Sequence, residues 1–325
     1  MHSGSILLNR LRHCVPVCCT PNASPFSVPT AAISHNPIIV NSKEKRMQDK
    51  TKPYAGLALL TDLDGTLLTP EKTVAQEDMD AIAEFRAKGG LFSVATGRGR
   101  QATQAYLDLL KPDYPAAMYN GALLFDYQQQ KPFYAVQLPH GITELLAELM
   151  QAFPEIGAEV LDPSGVYVIQ DGEIERKHLE ITNVPLVFRS LEDAHPEQCI
   201  KALFAGEQED INRLTEYVRD ERFSFVDFTR SHRWFLEILP HNTNKGTALQ
   251  QLRTALPEGT VIGAAGDFDN DLGMLREADF SGCPDDAEPC VKDVIAEKNG
   301  FCSLKTSENG FFAEWITAFT KKYTS

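Results

Sequence analysis

The sequence predicts an α/β protein, a doubly wound parallel sheet with an inserted α+β domain, and three observations carry that prediction. Short apolar strands and amphipathic helices alternate after Pro53. The strands run into loops built from Asp, Thr, Gly and Asn, the edge at which α/β sheets place ligands. The alternation breaks over residues 140–237, where strands follow one another, and resumes at 238.

Leu57–Thr61, apolar up to Leu60, reads as a strand buried on both faces. From about Thr73 to Lys88, apolar Met79, Ile82, Ala83 and Phe85 recur among charges and stop at Gly89-Gly90, which predicts a helix and its end. Leu91–Ala95 is a second strand, left through Thr96-Gly97-Arg98, and a helix over Ala102–Leu110 follows. Ala116–Tyr119 is a third strand and ends at Asn120-Gly121. Ile142, Leu145, Leu146, Leu149 and Met150 then mark one face of a helix. Strands at Ala158–Leu161 and Val166–Gln170 are joined by Asp162-Pro163-Ser164-Gly165, a strong turn. A strand at Ile200–Phe204, a helix over Ile211–Arg219, and strands at Phe223–Phe228 and Trp234–Leu239 complete the insert. A helix after Lys245, strand Val261–Ala264 and the loop Gly266–Asp271 return to the first rhythm. The expected division is therefore 54–139 plus 238–325 for one domain and 140–237 for the insert.

At 325 residues with 43% hydrophobic content the chain can bury two cores, and a net charge of −14 excludes a nucleic-acid footprint. No apolar run approaches the ~18 residues that cross a bilayer. Seven cysteines and eight histidines fall in no zinc spacing, so the cysteines read as reduced thiols and the protein as cytoplasmic. Residues 1–53 read as a disordered tail. Up to Ser42 that tail holds no acidic residue, the composition of an organelle transit peptide or of an extension ahead of a true start at Met47. Organelle targeting by residues 1–46 is thus the alternative to the cytoplasm.

The chemistry begins at Thr61-Asp62-Leu63-Asp64-Gly65-Thr66. Side chains at i and i+2 of a strand share a face roughly 6–7 Å apart. One carboxylate can meet an electrophile while the other serves its leaving group or a metal. Three further motifs follow in order, each expected beside that sheet edge: Thr96-Gly97-Arg98, Lys245-Gly246 at a helix start, and Gly266-Asp267-Phe268-Asp269-Asn270-Asp271. Alone, each is a weak signal: a solvated turn, a common tripeptide, a chance pair. The acidic loop opens like a calcium loop but carries Leu272 and Ala278 where the sixth-position Gly and twelfth-position Glu belong. Gly97-Arg98-Gly99 with Ala102 mimics a dinucleotide fingerprint, and the other motifs leave it no role.

Taken in order, the four motifs resemble the haloacid dehalogenase (HAD) superfamily, specifically the Cof-type phosphatases. Asn120-Gly121-Ala122 before the insert and Asn242-Thr243-Asn244-Lys245-Gly246-Thr247-Ala248-Leu249 after it extend the resemblance over residues 54–325. It implies a Rossmann-like HAD core with a large cap inserted after the third strand, and Mg²⁺-dependent hydrolysis of a small phosphomonoester. The substrate would be a sugar phosphate or phosphorylated cofactor held between two domains. Asp62 would be the nucleophile that forms an aspartyl-phosphate, and Asp64 the general acid and base. Leu63, Thr96, Gly97, Lys245 and Asn270 would bind phosphate. Asp62, Asp64 (through its backbone carbonyl) and Asp267 would hold the metal, with Asp269 and Asp271 orienting its waters and Lys245. The implied partner is a small phosphorylated metabolite, with neither nucleic acid nor membrane, for a monomer or small homo-oligomer. A phosphomannomutase-like phosphotransferase resembles the same core and cap. A sugar-phosphate-binding regulator is a third reading, against which Asp62, Asp64, Lys245 and Asp267 argue together. His232 and Arg233, near Arg230, are expected on a solvated hairpin of the cap, with contact to substrate as the alternative.

Overall fold

A computed structural model describes residues 52–181 and 184–324, so nearly all of the expected tail, residues 1–53, lies outside the described residues. The central strand β1, Leu57–Thr61, is buried at every position, as its composition requires. It pairs in parallel with β2 (Leu91–Val94) on one side and with β11 (Val261–Ala265) on the other. The order continues outward through β12 (Phe280–Cys283) to β13 (Phe301–Cys302), also in parallel. From β1 the chain moves to β2 on one side, and it later returns to lay β11 against the other. The switch point of the sheet is therefore the crevice between the carboxyl ends of β1 and β11.

Alternation along β1 assigns its two faces. Leu57 and Leu59 pack with Ile82 and Phe85 of α1 (Gln76–Ala87) and with Phe311, Phe312, Trp315 and Phe319 of α9 (Phe311–Thr324). Ala58 and Leu60 pack with Leu249 and Leu252 of α6 (Lys245–Arg253), Met274 and Leu275 of α7 (Leu272–Glu277), and Val291, Val294 and Ile295 of α8 (Pro289–Glu297). Helices on both faces are what a parallel sheet of such strands needs to leave water. The helix α2, Arg100–Leu110, follows β2, and β3 (Ala116–Met118) joins the sheet only by a bridge between Ala95 and Ala117.

The prediction passes over two strands here. β3 continues into an antiparallel run with β4 (Leu123–Asp126) and β5 (Lys131–Ala135). β5 is mostly exposed and contains Pro132, so it offers no buried apolar pattern.

The second sheet is antiparallel, in the order β7-β6-β8-β10-β9. Its strands are β6 (Gly157–Asp162), β7 (Gly165–Gln170), β8 (Lys201–Ala205), β9 (Val226–His232) and β10 (Phe235–Pro240). The β6–β7 turn forms as expected, with Asp162 Oδ1 accepting the amides of Ser164 and Gly165 at 2.6 and 2.8 Å. One face, with Val160, Ala202, Phe204 and Ile238, packs under α3 (Ile142–Ala152) and α5 (Gln208–Tyr217). The other face carries Glu159, Leu203 and Glu237 in one row. The prediction also passes over helix α4, Glu173–Ile181, which has only three apolar residues in nine and buries Glu175 beside Leu179. Phe223 stands in a short 3-10 turn rather than in the expected strand, which begins at Val226 and runs on through polar Thr229, Arg230, Ser231 and His232.

One buried carboxyl ties two helices on the same face of the parallel sheet, α1 and α9, to pH. Asp78, on α1, accepts the amide of Ala313 in the first turn of α9 through Oδ1 at 2.8 Å, while Oδ2 has no hydrogen-bond partner among the described residues. It thus satisfies one of the amides that a helix start leaves open. Burial outweighs that bond and pushes the carboxyl up to about 6. An unfolded Asp loses its proton near pH 4, so the folded state is progressively destabilised as pH rises from about 4 to about 6. Asp78→Asn keeps an acceptor and removes the titration. The expected result in thermal melts is a gain of order 2–3 kcal/mol at pH 7 that vanishes near pH 4. An equal shift at both pH values would exclude ionisation as the cause.

Candidate active site

Asp62 leaves β1 with its amide still bonded to the Ala265 carbonyl of β11 at 3.0 Å, so the sheet register holds it in the switch-point crevice. The chain then turns, with Leu67 and Leu68 amides returning to the Leu63 carbonyl at 3.1 and 2.7 Å. Gly65 makes the turn possible. Its φ is +77°, and a Cβ there would run into the Asp267 carboxylate. Asp267 enters the same crevice just after β11, and its Oδ1 accepts the Thr66 hydroxyl at 2.6 Å.

Lys245 arrives from the opposite direction. The Asn244 side chain accepts the amides of Gly246 and Thr247 at 2.8 and 3.1 Å, while the Thr247 hydroxyl accepts the Asn244 amide at 3.1 Å. This reciprocal box starts α6 at Lys245. The ammonium is fully buried at the positive end of its own helix, and carboxylates offset that unfavourable placement. Nζ donates to Asp62 Oδ1 at 2.7 Å and to Asp271 Oδ1 at 2.6 Å. The other oxygen of Asp271 accepts the amides of Asp267 and Phe268 at 3.0 and 3.1 Å. Asp271 therefore fixes both the lysine and the loop that carries Asp267.

One carboxylate oxygen each from Asp62, Asp267 and Asp271 lies within 4.8 Å of the others. Burial, opposed by Lys245 and reinforced by Asp271 and Asp64, pushes Asp62 up to about 7. Burial, with the charges of Asp271 and Asp62, holds Asp267 well above the ordinary carboxylate range. Burial also works against the charge on Lys245, but Asp271 and Asp62 outweigh it and raise its pKa. Three carboxylates facing one ammonium leave negative charge uncompensated, which is an environment for a cation with hard oxygen ligands.

Asp64, expected to ligate only through its backbone carbonyl, keeps its side chain outside the carboxylate cluster, and Asp271, expected to orient Lys245, lies within it. The Asp64 carboxylate points to Arg98, which donates through both Nε (2.5 Å) and a terminal nitrogen (2.6 Å), and to Lys72 Nζ at 2.8 Å. Burial acts to raise its pKa, but the Arg98 and Lys72 bonds and charges win and lower it to about 2. Asp64, whose side chain is 38% exposed, is a carboxylate here and not an acid.

Of the expected phosphate-binding residues, Leu63 has a wholly buried side chain and offers only its main chain. Thr96 is buried at the end of β2, and its hydroxyl accepts the Arg98 amide at 3.1 Å. Gly97 follows, and its carbonyl accepts Lys201 Nζ at 2.9 Å. Asn270 Nδ2 donates to Asn120 Oδ1 at 2.9 Å. Thr66, Lys72, Arg98, Asn120, Lys201 and Glu237 received no role from the sequence. Thr66, Arg98 and Asn120 lay inside quoted motifs, and Glu237 was a lone charge within the apolar run Phe235-Leu236-Glu237-Ile238-Leu239. On the cap hairpin, Arg230 bonds Asn212 and the carbonyls of His232 and Arg233, while the His232 ring packs on Trp234 and Phe235. Arg230 is thereby committed to holding the hairpin.

The family model of haloacid dehalogenase-like hydrolases matches residues 59–310. The chain is 26% identical over 287 residues to 5-amino-6-(5-phospho-D-ribitylamino)uracil phosphatase YitU of Bacillus subtilis, covering 85% of this chain and 99% of that protein. It is 27% identical over 242 residues to pyridoxal phosphate phosphatase YbhA of Escherichia coli, covering 71% and 88%. Among solved structures, a phosphatase of the haloalkanoate enzyme superfamily from Bacteroides thetaiotaomicron superposes with a TM-score of 0.67 at 23% identity, covering 85% of this chain and 99% of that one. With the switch-point carboxylates and the family match spanning both sheets, the chain belongs to the haloacid dehalogenase-like hydrolases.

Proposed function

We propose that this chain, a phosphatase of that family, hydrolyses a small phosphomonoester through an aspartyl-phosphate on Asp62. The observation that carries the reading is the buried Lys245 bridging Asp62 and Asp271 beside Asp267 at the switch point. Residues 54–139 and 238–325 form the catalytic core in this reading, and 140–237 form the cap that encloses a sugar phosphate or phosphorylated cofactor. We place the enzyme in the cytoplasm.

A carboxylate oxygen of Asp62 attacks phosphorus as the ester P–O bond breaks, and the leaving oxygen takes a proton from Asp64. Water then attacks the same phosphorus, returns a proton to Asp64 and releases phosphate from Asp62. Lys245 keeps Asp62 oriented and offsets charge on the phosphoryl oxygens, which Thr96, the Gly97 amide and Asn270 receive. Asp62 and Asp267 each spend one oxygen on a protein donor, Lys245 or Thr66, which leaves their other oxygens for Mg²⁺. The cation, when bound, neutralises developing charge on the phosphoryl group. Asp64 serves as an acid only once its carboxyl is freed from Arg98 and Lys72, and an arriving phosphate is a competing partner for both cations.

The test is phosphate release from a panel of sugar phosphates and phosphorylated cofactors, with Mg²⁺ and with EDTA. Release is expected to need the metal and to fall about 10²–10⁴-fold in kcat for Asp64→Asn. Undiminished turnover in that variant, or in EDTA, would contradict the mechanism. Isomerised product without free phosphate would assign a phosphotransferase instead.

A further inference from the structure

A buried ion pair of the second sheet reaches into the first domain. Lys201 Nζ, at the start of β8, donates to Glu237 Oε1 of β10 at 2.6 Å, and both side chains are nearly inaccessible. Ser231 of β9 donates to the same oxygen at 2.6 Å. The pair's remaining bonds leave the sheet. Lys201 Nζ donates to the Gly97 carbonyl at 2.9 Å, and Asn120 Nδ2 donates to Glu237 Oε2. Asn120 itself accepts Asn270 Nδ2 at 2.9 Å, and its main-chain amide donates to the Thr96 carbonyl at 3.0 Å.

These bonds tie together Gly97 after β2, Asn120 after β3 and Asn270 after β11, with Lys201 and Glu237 as the links on the cap side. Asn120 adopts a left-handed conformation, φ 54° and ψ 27°, which its neighbours must hold in place. We infer that Lys201 and Glu237 are positioning residues: docked as a pair, they set the spacing of the Thr96–Gly97 and Asn270 loops, so phosphate affinity depends on the cap's own charges. This rests on the reading of those loops as the phosphate cradle. A buried pair suits the task because neither charge tolerates separation from the other, and the two side chains act as one rigid insert.

The test separates phosphate from leaving group by using inorganic phosphate alone, titrated calorimetrically into the full-length protein with Mg²⁺. Glu237→Gln and Lys201→Met are each expected to raise its Kd about tenfold, equivalent to about 1.4 kcal/mol. Because a single change strands a buried charge, the double variant Lys201→Met/Glu237→Leu is measured beside them. It replaces the pair with apolar groups and is expected to melt near wild type while binding phosphate equally weakly. Wild-type phosphate affinity in the folded double variant, with a raised KM for a phosphomonoester, would overturn the inference and give the pair to leaving-group recognition. Thr96→Val serves as the independent check on the cradle. If it leaves phosphate binding intact, the cradle reading itself fails and the inference with it.

Discussion

Asp62→Asn is expected to reduce kcat by on the order of 10⁴–10⁶-fold while leaving the fold intact. The amide cannot form an acyl phosphate, yet its oxygen can still accept the Lys245 bond that Asp62 Oδ1 accepts at 2.7 Å. The variant also removes one of three crowded carboxylates, so its melting temperature should match or exceed wild type in EDTA. Acid-quenched protein from a single turnover with radiolabelled substrate should carry phosphate only in wild type. Activity within tenfold of wild type would remove Asp62 as nucleophile. A lower melting temperature in EDTA would show that the Lys245–Asp62 bond outweighs the repulsion it sits in.

Lys245→Met is expected to act on stability as strongly as on turnover. Lys245 is fully buried and is bonded to two carboxylates, Asp62 and Asp271, with Asp267 beside them. Removing one partner of a buried pair typically costs about 3–5 kcal/mol, because the partner charge stays behind without its counter-ion. For a chain of this size that corresponds to a fall of roughly 10 °C in melting temperature. Two dependences identify the cause. Mg²⁺ should restore part of the loss, since a cation that binds only the folded state adds stability by mass action. Asp271→Asn should cost less in the Lys245→Met background than in wild type, because the two residues share one interaction. Strict additivity, with no response to Mg²⁺, would make Lys245 a packing residue.

The sequence was most legible where local pattern and tertiary environment agree. The four apolar residues Leu57–Leu60 of β1 read as a strand covered on both faces, and the Asp, Thr and Gly residues after it as the loop at the strand's end. The same logic located β2, β11 and the start of α6, whose capping box lies within four consecutive residues. It failed where burial is unusual. Helix α4 hides Glu175, exposes Ile181 and has only three apolar residues in nine, and edge strands β5 and β9 are polar or exposed because they line a rim rather than fill a core.

By itself, then, the sequence determined the α/β rhythm, the interruption by a second sheet, and the carboxylates, lysine and threonine gathered at the switch-point edge. Each of these follows from periodicities and motifs a few residues long. Only the tertiary structure decided how those groups are partnered: Asp64 with Arg98 and Lys72 rather than among the other carboxylates, Asp271 on Lys245, and Glu237 on Asn120 across 117 positions. A carboxylate becomes a nucleophile, an acid or a strut according to which charges and amides stand within hydrogen-bonding distance. Those neighbours come from strands and loops far apart in the chain, and no local pattern encodes them.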